Sequence, residues 1–154
     1  MEKIDDIDKK ILEMLSKNAR TAFKDVADEC GVSRAAIHQR VQRLSDIGVL
    51  TGSGFYINPK KLGFRTCTYI GLSLAKGSMY KEVIEELKTI PEIVEAHFTT
   101  GSYGIIIKLY ARDNEHLMTL LNERIQEIPG VMGTETMISL DQGIKKELPI
   151  TTNG

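Results

Sequence analysis

No apolar run in this chain approaches the roughly 18 to 20 residues that a membrane-spanning helix requires. The first ten residues, MEKIDDIDKK, lack the apolar core of a secretory signal, so a cytoplasmic protein with no membrane partner is expected. Cysteine is scarce. Cys30 and Cys67 stand far apart, with no CxxC and no neighbouring histidine, which argues against a disulfide framework or a metal site. Each is expected as a small, buried apolar residue. Of the histidines, His97 and His116 fall on separate elements of the second half, and no triad, metal spacing or phosphate loop accompanies them. An enzyme is therefore not expected. The basic excess that usually marks a nucleic-acid binder is missing as well, since the net charge is -1.

What is present is ordinary globular composition, 42% apolar and 27% charged, in 154 residues, which speaks against intrinsic disorder. That length suits one comfortable domain or two small ones. The near-neutral total also hides an asymmetry. Residues 30–65 hold Arg34, Arg40, Arg43, Lys60, Lys61 and Arg65 against Asp46 alone, whereas residues 66–154 carry a net charge of about -4. A basic patch is local to the first half.

Two periods divide the chain. Ile4, Ile7, Ile11, Met14 and Leu15 recur at three- and four-residue steps, so they share a helical face. A second helix is expected from about Ala22 to Cys30, with Thr21 as N-cap and Gly31 closing it. Ser33 then caps a third, whose inward positions are Ile37, Val41 and Leu44. Helices separated by a tight glycine turn predict a helix-turn-helix over residues 1–52. VLTGSGFYI and NPKKLG read as a small hairpin, or wing, leading into a linker over 53–65. Residues 66–154 then run strand, helix, strand, twice over, with Pro91 and Pro129 ending the two helices. The fold class expected is α+β: a winged helix-turn-helix followed by a ferredoxin-like βαββαβ domain. In the third strand Ile105, Ile107 and Leu109 line one face while Ile106 is apolar on the other. A second copy of the chain covering that other face is the simplest explanation, giving a homodimer.

With Ile37, Val41 and Leu44 turned inward, steps of about 100° place Ala35, His38, Gln39 and Gln42 outward on the third helix, with Arg34, Arg40 and Arg43 to its sides. That layout suits double-stranded DNA: amide and imidazole groups read base edges, and flanking arginines hold phosphates. The competing reading is a solvated polar face, with Arg40 tied to an acid of the first helix.

The segment IDDIDKKILEMLSKNARTAFKDVADECGVSRAAIHQRVQRLSDIGVLTG resembles the N-terminal half of the Lrp/AsnC family, the feast/famine regulators of bacteria and archaea. The pattern lies in Ile4-Asp5, Asp8, Ile11-Leu12, Asn18-Ala19-Arg20, Ala27, Gly31-Val32-Ser33, Arg40, Leu44 and Gly48-Val49-Leu50. TTGSYGIIIKLY and IPGVMGTETMISL resemble the family's ligand-binding domain, nearest to its AsnC-like branch. The resemblance implies a transcription regulator with a free amino-acid effector and no other cofactor, forming dimers and octamers of four dimers. It further implies an effector site between protomers at Thr100, Gly101, Ser102, Tyr103 and Gly104. There glycine permits close approach and main-chain N–H groups can hold a carboxylate. Thr134 and Thr136, on one face of the last strand, would add hydroxyls. Many relatives carry aspartate at the position of Gly104, a natural partner for an ammonium group, and here that charge is missing. The alternative is an architectural DNA binder whose second domain only oligomerises.

Overall fold

The computed structural model describes residues 2–150. They fall into two units, one of residues 2–56 together with 145–150, the other of residues 57–144.

The first unit contains three helices, α1 (Asp6–Lys17), α2 (Phe23–Cys30) and α3 (Arg34–Asp46). A reciprocal capping box starts α1. The Asp5 carboxylate accepts from the Asp8 N–H at 2.8 Å, and the Asp8 carboxylate accepts from the Asp5 N–H at 3.1 Å. Ile11, Val26, Ala27 and Ile37 form the core, with Ile7, Met14, Leu15, Phe23 and Val41 packed around it. The α2–α3 turn needs a left-handed residue, and Gly31 supplies it at φ 65°. Ser33 Oγ accepts from the Ala36 N–H at 3.1 Å and so caps α3, as its sequence position predicts.

Two local expectations need correcting. Ala22, not Thr21, occupies the N-cap of α2, without a side-chain hydrogen bond. The Thr21 hydroxyl instead donates to the Asn18 carbonyl at 2.7 Å, which binds it to the preceding turn. Residues 51–58 form no strand, so the expected wing is absent. Gly52 and Gly54 interrupt the apolar pattern there and leave neither arm long enough to pair. Asn58 caps a short 3₁₀ turn, Pro59–Leu62, and Phe55 receives the Arg20 guanidinium at 4.6 Å from its ring.

In the second unit β1 (Thr66–Leu74), α4 (Tyr80–Leu87), β2 (Ile93–Phe98), β3 (Ile105–Ala111), α5 (Asn114–Thr119) and β4 (Val131–Ile138) follow in the expected order. The strands lie as β2-β3-β1-β4, each neighbouring pair antiparallel, which is the ferredoxin-like arrangement. Pro91 and Pro129 each stand two residues before a strand. After α5 the chain passes into a π turn, Leu120–Ile125, a widening that a 3.6-residue period does not reveal. Ile70, Leu72, Ile105, Ile107 and Leu109 face Val83, Leu87, Leu117, Leu120 and Ile125 in one core. The opposite sheet face carries Cys67, Tyr69, Gly71, Ile106, Lys108, Tyr110 and Met137. Neither cysteine is buried as expected; Cys30 and Cys67 are both half-buried, one at the edge of the helical core and one on this open face.

One buried group is out of place. The Thr68 hydroxyl lies in the core and has no hydrogen-bond partner among the described residues. Thr68→Val keeps the shape and removes the stranded polar atom, so it should stabilise by about 1 kcal/mol. Thermal unfolding should then show the midpoint for this unit raised by roughly 4–8 °C.

Candidate DNA interface and effector loop

Helix α3 presents the side chains that its periodicity predicts. Ile37 and Leu44 are buried, whereas Arg34, Ala35, His38, Gln39 and Gln42 are exposed. The side chains of Arg34 and Gln39 make no hydrogen bond or ion pair with any described residue. His38 is held edge-on against Phe23 of α2, ring centroids 4.6 Å apart. Gln42 Nε2 donates to Asp46 at 2.8 Å, an exposed i,i+4 bond that water or a ligand can replace at little cost.

The remaining arginines of α3 are engaged inside the protein. Arg40 Nη1 lies 2.9 and 2.8 Å from the two Asp5 carboxylate oxygens and 2.8 Å from Asp8 Oδ1. Arg43 Nη2 donates to Asp8 Oδ2 at 2.7 Å and to the Lys3 carbonyl at 3.3 Å. Asp8 is fully buried, at 0% exposure. The Asp8 N–H first, and the Arg40 guanidinium second, hold the Asp5 carboxyl below the ordinary aspartate value. Hydrogen bonds to Asp5 and then Asp8 raise Arg40 further above its already high value. Of the two sequence readings of Arg40, the tie to the first helix is therefore the one present. Arg43, expected beside phosphate, makes the same tie.

The loop joining β2 to β3 is compact. Thr99 Oγ1 donates to the Tyr103 carbonyl at 2.8 Å, and the Thr99 N–H to the Gly104 carbonyl at 3.0 Å. The Gly104 N–H is already taken by the Leu72 carbonyl at 3.0 Å, and a Cβ at Gly104 would come within 2.8 Å of the Leu74 side chain. No described residue accepts from the main-chain N–H of Gly101, Ser102 or Tyr103, and Gly101 takes φ 102°. The Tyr103 ring lies over Gly71, where a Cβ would meet it at 2.6–2.8 Å. Sequence reading overlooked Gly71, although a glycine inside a strand is itself a sign of close approach.

Thr134 and Thr136 pair with Leu72 and Ile70, so they share the helix-covered face of the sheet. Tyr103 covers the open face. The Thr134 hydroxyl already accepts from Gln126 Nε2 at 3.1 Å. A single chain thus does not gather the threonines and the loop into one pocket. A separate cavity of about 400 Å³, lined by Ser78, Met79, Glu82, Glu86 and Pro129, includes none of these residues.

Comparison with known proteins decides the family. Residues 67–148 match the Lrp/AsnC ligand binding domain, and residues 4–45 match the AsnC-type helix-turn-helix domain. The chain belongs to the Lrp/AsnC family. Its relatives include the regulatory protein AsnC of Haemophilus influenzae, 37% identical over 96% of this chain and 99% of that one. The solved structure of Escherichia coli AsnC shares the fold with a TM-score of 0.92, at 36% identity over 96% of this chain and 99% of that one. A Neisseria meningitidis transcriptional regulator, solved as its L-Met complex, has the same fold at 18% identity, with a TM-score of 0.87 over 98% of each chain. As a Lrp/AsnC member the protein is a regulator of transcription and not an enzyme. Among the described residues no helix is long and apolar enough to cross a membrane.

Proposed function

We propose that this Lrp/AsnC regulator reads cytoplasmic double-stranded DNA with α3 while a free amino acid bound at the loop of residues 100–104 adjusts that binding. The observation that carries the DNA reading is the solvent-facing row Ala35, His38, Gln39 and Gln42 beside the unpaired Arg34. Gln and His match base-edge donors and acceptors in the major groove, and Arg34 meets the backbone. Two copies joined by their open sheet faces present two such helices to successive major grooves about 34 Å apart. Four dimers forming an octamer extend the same reading.

The effector reading rests on the unclaimed N–H groups of Gly101, Ser102 and Tyr103, which suit a carboxylate. A ligand's ammonium group finds no acid within residues 99–104. A second protomer would therefore have to complete the site; Thr134 and Thr136 lie on the helix-covered face and would join it only where protomers meet outside the contact between open sheet faces. That missing charge is also what favours the second reading, in which the sheet domain serves assembly alone.

Thermal unfolding against each of the twenty amino acids in millimolar excess separates the two. A ligand at a hundred times its dissociation constant adds about 2.7 kcal/mol of apparent stability. One amino acid should raise the midpoint, and Gly71→Ala, which displaces the Tyr103 ring, should abolish the response. If no amino acid shifts the midpoint, the sheet domain is an assembly device.

A further inference from the structure

Asp8 is a fully buried carboxylate whose oxygens are claimed by two arginines of α3, 32 and 35 residues along the chain. We propose that Asp8, with Asp5, is the positioning residue of the DNA-reading helix: it sequesters Arg40 and Arg43, leaving Arg34 as the α3 arginine that meets phosphate. The inference rests on the DNA-binding reading above and adds an assignment that the helical pattern alone does not make.

Three observations support it. The first is burial. A buried carboxylate that loses a partner is strongly destabilising, so Arg43 would have to abandon a desolvated ion for a hydrated phosphate. The second is geometry. Asp5 and Asp8 are three residues apart at the start of α1, and Arg40 and Arg43 are three apart on α3. Each pair spans about one helical turn, so the two helices are pinned at two points along α3. One point would permit a swivel; two fix the direction of the axis. His38 and Gln39 lie immediately before the first pinned residue, so that axis sets where they point. The third is charge. Two arginines facing two aspartates cancel, so the basic surplus of residues 30–65 overstates the charge available to DNA.

The test measures affinity against KCl concentration for a mixed-sequence duplex and for a duplex selected by the wild-type protein from a random pool. Each phosphate contact contributes roughly 0.9 to the logarithmic salt slope on double-stranded DNA. Arg34→Gln should flatten the slope by about that amount per protomer. Arg43→Gln should leave the slope unchanged but lower the selected-to-mixed affinity ratio about tenfold, the scale of one lost base contact. Asp8→Asn releases Arg43 while Asp5 still holds Arg40, so the slope should steepen while the ratio falls. If Asp8→Asn does not fold, Arg43→Gln, whose side chain is 39% exposed, decides the matter alone. A slope flattened by Arg43→Gln as much as by Arg34→Gln overturns the proposal, and so does an Arg43→Gln protein with unchanged slope and ratio. A wild-type protein that selects no duplex from the pool and does not bind the mixed-sequence one defeats the DNA-binding reading instead.

Discussion

Ile106→Glu should leave a folded monomer whose affinity for DNA is about 10²- to 10⁴-fold weaker than the wild type. The residue sits near the middle of the open sheet face, opposite Gly71 on one side and His97 on the other. Its neighbours on that face, Tyr69, Tyr110, Lys108 and Met137, are large, and the two tyrosine rings flank the Lys108 amine at 5.8 and 5.5 Å. A second copy laid against this surface removes Ile106 from water. A glutamate there would have to enter the interface as an unpaired charge, which costs several kcal/mol. The core is spared, because Ile105, Ile107 and Leu109 point the other way. DNA affinity falls because the second recognition helix no longer arrives already tethered beside the first. Light scattering and a DNA titration on the same sample check both halves, and an Ile106→Glu protein that stays dimeric removes the sheet face from the assembly.

What could be read in advance was whatever local periodicity controls. The three helices of the first unit, the four strands of the second and the alternation of Thr134 with Glu135 follow from spacings of 3.6 and 2. Gly31 and Ser33 mark the turn into α3 because a left-handed cap and a hydroxyl cap are local chemistry. Long-range chemistry was less legible. The tie between Arg43 and Asp8 joins residues 35 positions apart, and its trace is the matching three-residue spacing of Asp5-Asp8 and Arg40-Arg43. Periodicity gave the outward row on α3 but assigned Arg43 to phosphate, because a helical wheel has no knowledge of the neighbouring helix. The wing failed for a related reason: glycine-rich, β-like residues become a strand when a partner strand is available, and residues 51–58 have none. Tyr103 over Gly71 is likewise a tertiary contact, made by a loop against a strand some thirty residues earlier.

The second large effect concerns sequence reading itself. His38→Ala combined with Gln39→Ala should weaken binding to a selected duplex by on the order of 10²- to 10³-fold, since each good base contact carries about 1–3 kcal/mol of discrimination. Binding to a mixed-sequence duplex, and its salt slope, should barely change, because that binding comes from cations on phosphate. Both side chains are exposed, so the helical core survives the substitutions. The two residues differ in how they are held. Gln39 projects without a partner and can adapt to the base edge it meets. His38 is braced by the Phe23 ring at 4.6 Å, so its imidazole is presented in a fixed orientation. Phe23→Leu keeps an apolar residue against the core but removes the aromatic edge contact. It should therefore reproduce part of the His38→Ala loss on the selected duplex while leaving Gln39→Ala additive to it. Additivity of that kind would place the two contacts on independent base pairs, and a double variant no worse than either single one would mean that both side chains serve one shared contact. No loss in any variant would mean that α3 reads the groove through some other set of side chains.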